Sequence, residues 1–319
     1  MPNIKTYLLC KHQCLHNMEG AHMLIDVHGH IGRIVPDRGE FIDITNIIAK
    51  MDTWGIDKTC VMALSEHPEG AYLECNTEDI ITACSRYPDR LIPFCLIDPR
   101  FGNRPDMDFT HLLEEYKVRG CKGIGELLPK MNFDDPLCLN LYHQAGKFDM
   151  PILFDMQDGI YGYGLRDDYG LPKLEHALQE CPDTIFIGHG PTFWAEISSD
   201  VPADNRSSYP GGIIQTGGAV PRLMRKYPNL WADMSAGSGY NALTRDPGFG
   251  VEFLDEFQDK MMFGTDSCLR SDVNSVYKNV AYIRELREKK KLSNDALDKI
   301  EWKNCERLLK LNLSSSKGD

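Results

Sequence analysis

The sequence predicts a single (β/α)₈ barrel, the α/β fold in which eight parallel strands are surrounded by helices. Strand-like apolar runs alternate with amphipathic helical stretches along the chain, and there are eight such runs. Alternation of this kind predicts a parallel sheet, and 319 residues match the length of such a barrel. The chain also lacks an internal repeat or a low-complexity linker, which favours one domain over two.

Each predicted strand is a short run dominated by apolar residues, the pattern of a strand that is buried on both faces. The eight predicted strands are Leu24–His28, Thr59–Leu64, Leu91–Ile97, Cys121–Glu126, Ile152–Met156, Thr184–His189, Leu230–Met234 and Met261–Thr265. The predicted helices include Ile44–Trp54, Thr77–Tyr87, Asp108–Lys117, Leu137–Phe148, Leu171–Glu180, Ala219–Lys226 and Val251–Phe257. Gly55, Pro88 and Pro228 follow three of these helices, as residues that end helices do.

Two connections are much longer than the others. Residues 157–170 and 190–217 are rich in Gly, Pro, Ser and Asp, and they follow the fifth and sixth strands. Loops that follow strands lie on the catalytic face of a barrel. Long loops in a compact domain are usually lids or binding loops, so we expect this role here.

Composition limits the function and the compartment. The net charge of −12 argues against a nucleic-acid or membrane partner, which would need clustered Lys and Arg. The eleven cysteines are scattered without a CxxC pair, which favours a reducing, cytoplasmic compartment. Residues 1–22 contain no apolar stretch long enough for a signal peptide. We therefore expect a poorly ordered extension over 1–22 and a barrel domain over 23–319.

Two histidines end the first predicted strand. His28 and His30 are separated by one glycine, and side chains two apart along a strand point the same way. Both imidazoles can therefore converge just beyond the carboxyl end of the strand. Imidazole nitrogen is the commonest protein ligand for zinc and similar cations, although a bare His-x-His is as often a pair of exposed or core histidines.

Four further strands end in residues that can bind a metal. Strand four delivers Glu126, strand five Asp155, strand six His189 and strand eight Asp266. Each residue alone could be a helix cap or a buried, satisfied side chain. In a barrel, however, all of them would surround one mouth together with the two histidines. Nitrogen and carboxylate ligands around open positions describe a catalytic metal site.

Two arginines could bind the substrate near this mouth. Arg33 follows the His-x-His pair, and Arg270 lies just beyond Asp266. A guanidinium group binds a carboxylate bidentately, so either residue could hold a carboxylate of the substrate. A surface ion pair is the alternative for each.

The chain resembles the amidohydrolase superfamily, and most closely its amidohydrolase-2 branch of hydrolases and non-oxidative decarboxylases. The resemblance extends from about Met23 to Leu313. It rests on His28-Gly-His30, His189 and Gly264-Thr-Asp266, together with a closing segment over 299–310 that is similar to the family's terminal helix.

The resemblance implies a role for each of these residues. His28 and His30 would bind the deeper metal, and His189 matches the strand-six ligand. Asp266 matches the strand-eight aspartate, which binds metal and takes a proton from water. Glu126 matches the position at which some branches bridge two metals with a glutamate or a carboxylated lysine.

The chain departs from the family pattern at the fifth strand. The family usually has a histidine there, and this chain has Asp155. The carboxylate could replace that ligand, or it could orient another ligand or the substrate. A one-metal site would use the two strand-one histidines and Asp266, with or without His189, whereas a two-metal site would add Glu126 and Asp155.

The favoured function is a metal-dependent hydrolase that cleaves an ester, lactone or amide of a small molecule. The alternatives are a non-oxidative decarboxylase of a small aromatic or unsaturated acid and a barrel that binds a ligand without catalysis. Two metals would favour hydrolysis and one would favour decarboxylation. Zn²⁺ is the expected metal, and Mn²⁺ stays open because many of the ligands are carboxylates. The resemblance also suggests a homodimer.

Overall fold

The computed structural model describes residues 22–33, 40–64, 67, 75–157, 162–202, 205–275 and 277–313. Of the predicted N-terminal extension, residues 1–21 lie outside the described residues. The eight strands, β1 to β8 in chain order, are Ile25–His30, Lys58–Met62, Leu91–Pro93, Ile124–Leu127, Ile152–Asp155, Phe186–His189, Leu230–Asp233 and Met261–Met262.

The eight strands form a parallel barrel, which confirms the predicted fold. Strands β1 to β3 pair in sequence order, and so do β4 to β8. Cys95 joins the two groups, because its N–H donates to the Gly123 carbonyl at 3.0 Å and its carbonyl accepts from Gly125 at 2.8 Å. The ring closes where the Val27 N–H donates to the Phe263 carbonyl at 3.0 Å.

Helices surround the strands. The twelve α-helices of the described chain, α1 to α12, are Ile44–Trp54, Thr77–Cys84, Thr110–Val118, Pro136–Lys147, Pro172–Glu180, Pro191–Ala195, Ala219–Lys226, Ala236–Thr244, Pro247–Glu256, Lys278–Glu288, Asn294–Asp298 and Asn304–Leu309. A 3₁₀ turn covers Arg270–Asn274, and a π-helical turn covers Lys299–Lys303. Helix α1 has the predicted bounds, with Asp43 as its N-cap and Gly55 in the left-handed conformation at its end.

Two parts of the prediction differ from the structure. Helices α6, α8, α10 and α11 were not among the predicted elements, and α6 begins a stretch that was predicted to be a long loop. Strand β8 is regular over only two of the five predicted residues. Beyond Met262, the Phe263 N–H donates to the Ile300 carbonyl and the Thr265 N–H donates to Oδ1 of Asp26, both at 2.9 Å, so neither donates to a neighbouring strand.

The core has an inner and an outer part. Ile25, Met62, Phe94 and other strand residues fill the barrel interior, and Leu309 of α12 packs against them, so α12 closes the bottom. The other apolar faces pack between the strands and the outer helices. The nine described cysteines are free thiols, and most are buried. No helix in the described part of the chain is long and apolar enough to cross a membrane.

The two long connections follow β5 and β6, as predicted, and they contact each other. Arg206 and Glu196 of the second connection form a buried ion pair at 2.7 Å. The same guanidinium donates to the carbonyls of Asp167 (2.9 Å) and Asp168 (2.8 Å) in the first connection. The structure therefore fastens both loops to each other beside the top of the barrel.

Candidate metal centre

Strand β1 positions the first two predicted ligands. The register with β2 shifts between Asp26 and Gly29, where the strand turns both imidazoles inward. Gly29 is required by space, since a methyl group there would lie 2.7 Å from Cγ2 of Thr59. As a result, Nε2 of His28 and Nε2 of His30 lie 3.0 Å apart, and both rings are buried.

Two carboxylates face this pair of ring nitrogens. Oε2 of Glu126 lies 3.5 Å from His28 Nε2 and 3.4 Å from His30 Nε2. Oδ1 of Asp266 lies 3.2 Å from His30 Nε2 and 3.8 Å from His28 Nε2. Separations of this size suit ligands that share one cation at bond lengths of about 2.0–2.2 Å.

The third histidine joins the same cluster. Nε2 of His189 lies 3.6 Å from Oδ2 of Asp266 and 3.8 Å from Oε1 of Glu126. Two sets of three residues have ligand atoms close enough to hold a metal ion, namely His28, Glu126 and His189, and His28, His30 and Asp266. Both sets contain His28, so they describe one cluster and not two separate sites.

The opposite ring nitrogens are engaged by groups outside the cluster. Asp233, at the end of β7, bonds His28 Nδ1 at 2.8 Å and His189 Nδ1 at 2.9 Å. The Ser235 hydroxyl lies beside both Nδ1 atoms, and the Met62 carbonyl accepts from His30 Nδ1 at 3.2 Å. Such partners fix the tautomer that leaves Nε2 free to bind a metal.

Asp155 lies at the edge of the cluster. Its Oδ2 is 3.9 Å from His189 Nε2, and its buried Oδ1 has no hydrogen-bond partner among the described residues. Burial raises the pKa of this carboxyl group well above its usual range, and the adjacent charge of Glu126 raises it further. Asp155 is therefore the carboxyl group of the cluster that holds a proton most readily.

Other carboxyl groups of the site have lowered pKa values. Burial alone would raise the pKa of Asp266, but the positive charge of His28 and the nearby imidazoles of His189 and His30 hold it well below its usual value. Asp233 behaves in the same way, because the two histidines that it bonds outweigh the effect of burial and lower its pKa. The site thus contains carboxyl groups whose pKa values are shifted in opposite directions.

The two arginines that were predicted to bind substrate lie in different parts of the fold. Arg33 is partly buried just beyond β1. Arg270 is exposed at the start of its 3₁₀ turn, where its backbone N–H donates to Oε2 of Glu40 at 2.9 Å. Their role in substrate binding stays a prediction.

Several polar residues beside the cluster were not predicted from the sequence. Asp233 is the last-but-one residue of the predicted strand Leu230–Met234, the place that Asp155 has in its strand, so the same criterion would have found it. His67 accepts from the Leu128 N–H at 3.2 Å and bonds Asp98 at 2.8 Å, which ties the loop after β2 to the end of β4. Buried Lys50 donates to the Ser267 hydroxyl at 2.7 Å, next to Asp266. No sequence signal marks these two residues, since each lies far from its partner in the chain.

Fold and site together define a (β/α)₈ enzyme with a metal-type cluster at the carboxyl ends of its strands. The family model described as Amidohydrolase matches residues 25–311, so the chain belongs to this family. Its members are enzymes, and both the family and the cluster support metal dependence. A search of curated proteins finds no match.

Solved structures share the fold at low sequence identity. A probable 2-pyrone-4,6-dicarboxylic acid hydrolase from Acinetobacter baumannii, with citric acid bound, has a TM-score of 0.57 at 12% identity, over 90% of this chain and 99% of its own. The 2,6-dihydroxybenzoate decarboxylase from Rhizobium has a TM-score of 0.56 at 14% identity, over 92% of this chain and 99% of its own. The 5-carboxyvanillate decarboxylase from Novosphingobium aromaticivorans, complexed with manganese, has a TM-score of 0.56 at 14% identity, over 91% of this chain and 96% of its own. These likenesses describe the fold.

Proposed function

We propose that this protein is a metal-dependent hydrolase that cleaves an ester, lactone or amide bond of a small molecule. The observation that carries the proposal is the approach of His28 Nε2 to His30 Nε2, 3.0 Å apart, with two carboxylates beside them. Both Nδ1 atoms are engaged elsewhere, so the facing Nε2 atoms are placed to share a cation.

The donor set fits a divalent cation. His28, His30, Glu126 and Asp266 would hold it, with His189 as a further ligand, and because the two candidate sets share His28 we propose a single ion. Zn²⁺ is our first choice, and Mn²⁺ is the second because two of the donors are carboxylates. When bound, such an ion polarises a carbonyl group and acidifies water.

Two carboxyl groups whose pKa values are shifted in opposite directions support hydrolysis. Asp266, whose pKa is lowered, is able to accept the proton of an attacking water. Asp155, whose pKa is raised by burial, is able to donate a proton to the departing oxygen or nitrogen. Hydrolysis of a C–O or C–N bond uses both groups, whereas decarboxylation uses only the acid, which protonates carbon.

A non-oxidative decarboxylase of a small aromatic or unsaturated acid is the second candidate. A single metal centre favours it, because removal of carbon dioxide needs no second ion to generate a nucleophile. The decarboxylases among the similar structures add support, although they share only 14% of their residues with this chain.

Product analysis separates the two reactions. The zinc- or manganese-loaded protein is incubated with a panel of esters, lactones and amides and with a panel of hydroxybenzoates. We expect release of acid and alcohol or amine from the first panel. Asp266→Asn should lower kcat for that reaction by about 10²–10⁴-fold, while the surface control Asp259→Asn should not. Release of carbon dioxide from the second panel, with no turnover of the first, would overturn hydrolysis and support decarboxylation.

A further inference from the structure

A phenol and an ammonium group from two separate elements meet beside the first turn of α8. A methyl group placed on Gly237 would lie 3.0 Å from Oη of Tyr209 and 3.1 Å from Nζ of Lys278. The two polar heads therefore share the space that the missing side chain of Gly237 leaves open. Gly237 has no positive φ, so its small size matters here and its backbone freedom does not.

This meeting point lies next to the metal-type cluster. Gly237 follows Ser235 by two residues, and the Ser235 hydroxyl lies 3.0–3.2 Å from Nδ1 of His189 and of His28. Buried Asn279 donates to the Met234 carbonyl at 2.6 Å and to the Ala236 carbonyl at 3.2 Å. These bonds fasten the start of α10, and with it Lys278, to the end of β7.

The structure also fixes the loop that carries Tyr209. The carbonyl of the next residue, Pro210, accepts from Asn241 Nδ2 and from Arg245 Nη1, both at 2.9 Å, so it is held against α8. Three residues earlier, Arg206 forms the buried ion pair that joins the two long loops. Tyr209 is 57% exposed on this anchored segment.

The pair offers donors without an acidic partner. No described carboxylate lies within ion-pair distance of Lys278, whose ammonium group lies 5.5 Å from the centre of the Tyr240 ring. Burial raises the pKa of the Tyr209 phenol and Asp266 raises it further, so the phenol keeps its proton. A carboxylate has one oxygen for each head, and it is the simplest group that both can bind.

We propose that Tyr209 and Lys278 form a subsite for a carboxylate of the substrate, set apart from the bond that reacts. The inference rests on the proposed function, because it assigns the substrate of the same mouth to anionic small molecules. It also assigns to these two residues the role that the sequence suggested for Arg33 and Arg270.

Binding of small acids tests the subsite without turnover. The zinc-loaded protein is titrated calorimetrically with the diacids malonate, succinate, glutarate and adipate, and with the monoamide of each. The shared carboxylate can bind the metal, and only the diacid offers a second charge. We expect at least one diacid to bind about tenfold or more tighter than its monoamide, because one hydrogen bond to a charged group contributes enough free energy for such a change in affinity.

Variants assign that preference to the pair. Lys278→Met and Tyr209→Phe should reduce the preference for the diacid over its monoamide. Gly237→Ala should reduce it too, although the phenol and the ammonium group are both retained, because the added methyl group fills the space between them. Lys289→Met, at the exposed far end of α10, is the matched control and should leave it unchanged.

Two failures can be told apart. If the protein binds zinc and monoamides but shows no preference for any diacid, or keeps the preference in Lys278→Met and Gly237→Ala, the subsite is wrong and the metal enzyme stands. If the protein binds no zinc, the proposed function fails and the subsite fails with it.

Discussion

One carboxylate orients two of the candidate ligands. Asp233 is completely buried, and its two oxygens bond Nδ1 of His28 and Nδ1 of His189. A carboxylate in this position fixes the ring orientation and increases the basicity of the nitrogen that binds metal. Asp233 thus belongs to the site although it faces away from the centre.

Replacing this carboxylate should weaken metal binding. We expect Asp233→Asn to lower zinc affinity by about 10–100-fold, because an amide cannot accept from both histidines. Competition with a chromophoric chelator measures the affinity directly. Asp259→Asn, which changes the same side chain on the surface, should bind zinc as the wild type does. An unchanged affinity in Asp233→Asn would show that the histidines need no orienting partner.

At the scale of single residues, the sequence predicts the candidate metal ligands better than the residues that hold the neighbouring loops in place. His28, His30, Glu126, His189 and Asp266 all come together, because strand periodicity and strand ends determine where such side chains point. Lys50 and His67 could not be predicted, since their partners Ser267 and Leu128 are brought near only by the closed barrel. The metal-binding role of the cluster itself stays a prediction.

Among the elements, the loops on the catalytic face depend on a few buried polar contacts. Between β2 and α2, His67 bonds Asp98, and Arg100 donates to both oxygens of that carboxylate at 2.8 and 2.6 Å. Burial opposes ionisation of Asp98, but Arg100 and His67 outweigh it and lower its pKa below the usual value of 3.8. This ion cluster supports the loop end at Leu128, two residues beyond Glu126.

The lowered pKa gives a pH dependence with a definite sign. Because the folded protein holds Asp98 ionised more strongly than the unfolded chain does, its contribution to stability is present above about pH 4 and is lost as the pH falls below it. At pH 7, Asp98→Asn should reduce the free energy of unfolding by about 1.5–3 kcal/mol, the range for hydrogen bonds to charged groups.

Urea unfolding at pH 7 and at pH 3 tests this contribution. The difference between the wild type and Asp98→Asn should shrink at the lower pH, because Asp98 of the unfolded wild-type chain is then increasingly protonated while the folded protein still holds it ionised. Asp106→Asn is a suitable control, since its carboxylate pairs with Arg104 on the surface. A difference that is equal at both pH values would mean that the charge of Asp98 contributes nothing.

Element boundaries were less predictable than element types. Helix α8 reads Ala-Gly-Ser-Gly-Tyr-Asn-Ala-Leu-Thr, and its glycines and serine are poor helix formers, so tertiary contacts determine it. The contact between Gly250 of α9 and Leu243 of α8 is one example, because a methyl group at Gly250 would overlap the Leu243 carbonyl. Strand β8 is short because the N–H groups of Phe263 and Thr265 donate to Ile300 and Asp26, and no local pattern reveals these two partners.

For the whole molecule, closure of the barrel converts scattered strand ends into one centre. The candidate ligands come from β1, β4, β6 and the segment after β8, which are far apart in sequence. Only the bond from Val27 to Phe263 and its neighbours bring the first and last strands together. The Asp266 N–H then donates to the His28 carbonyl at 2.8 Å, so closure and ligand geometry depend on the same contacts.

The sequence predicts the fold more completely than it predicts the reaction. Alternation of strands and helices was sufficient to predict a barrel with long loops after β5 and β6. The substrate was not predictable, because loops determine specificity in this fold and the sequence does not show which side chains they bring together. Tyr209 and Lys278 lie 69 positions apart and meet only at Gly237.

Metal content per chain tests the central claim most directly. Elemental analysis of the purified wild type should give one divalent ion per chain, as a single shared cluster implies. Asp155→Ala should keep that ion, because Asp155 belongs to neither candidate set, and Glu126→Ala should lose most of it. Two ions per chain in the wild type, with one lost in Asp155→Ala, would contradict the single centre. The absence of any bound ion would contradict the metal-dependent enzyme altogether.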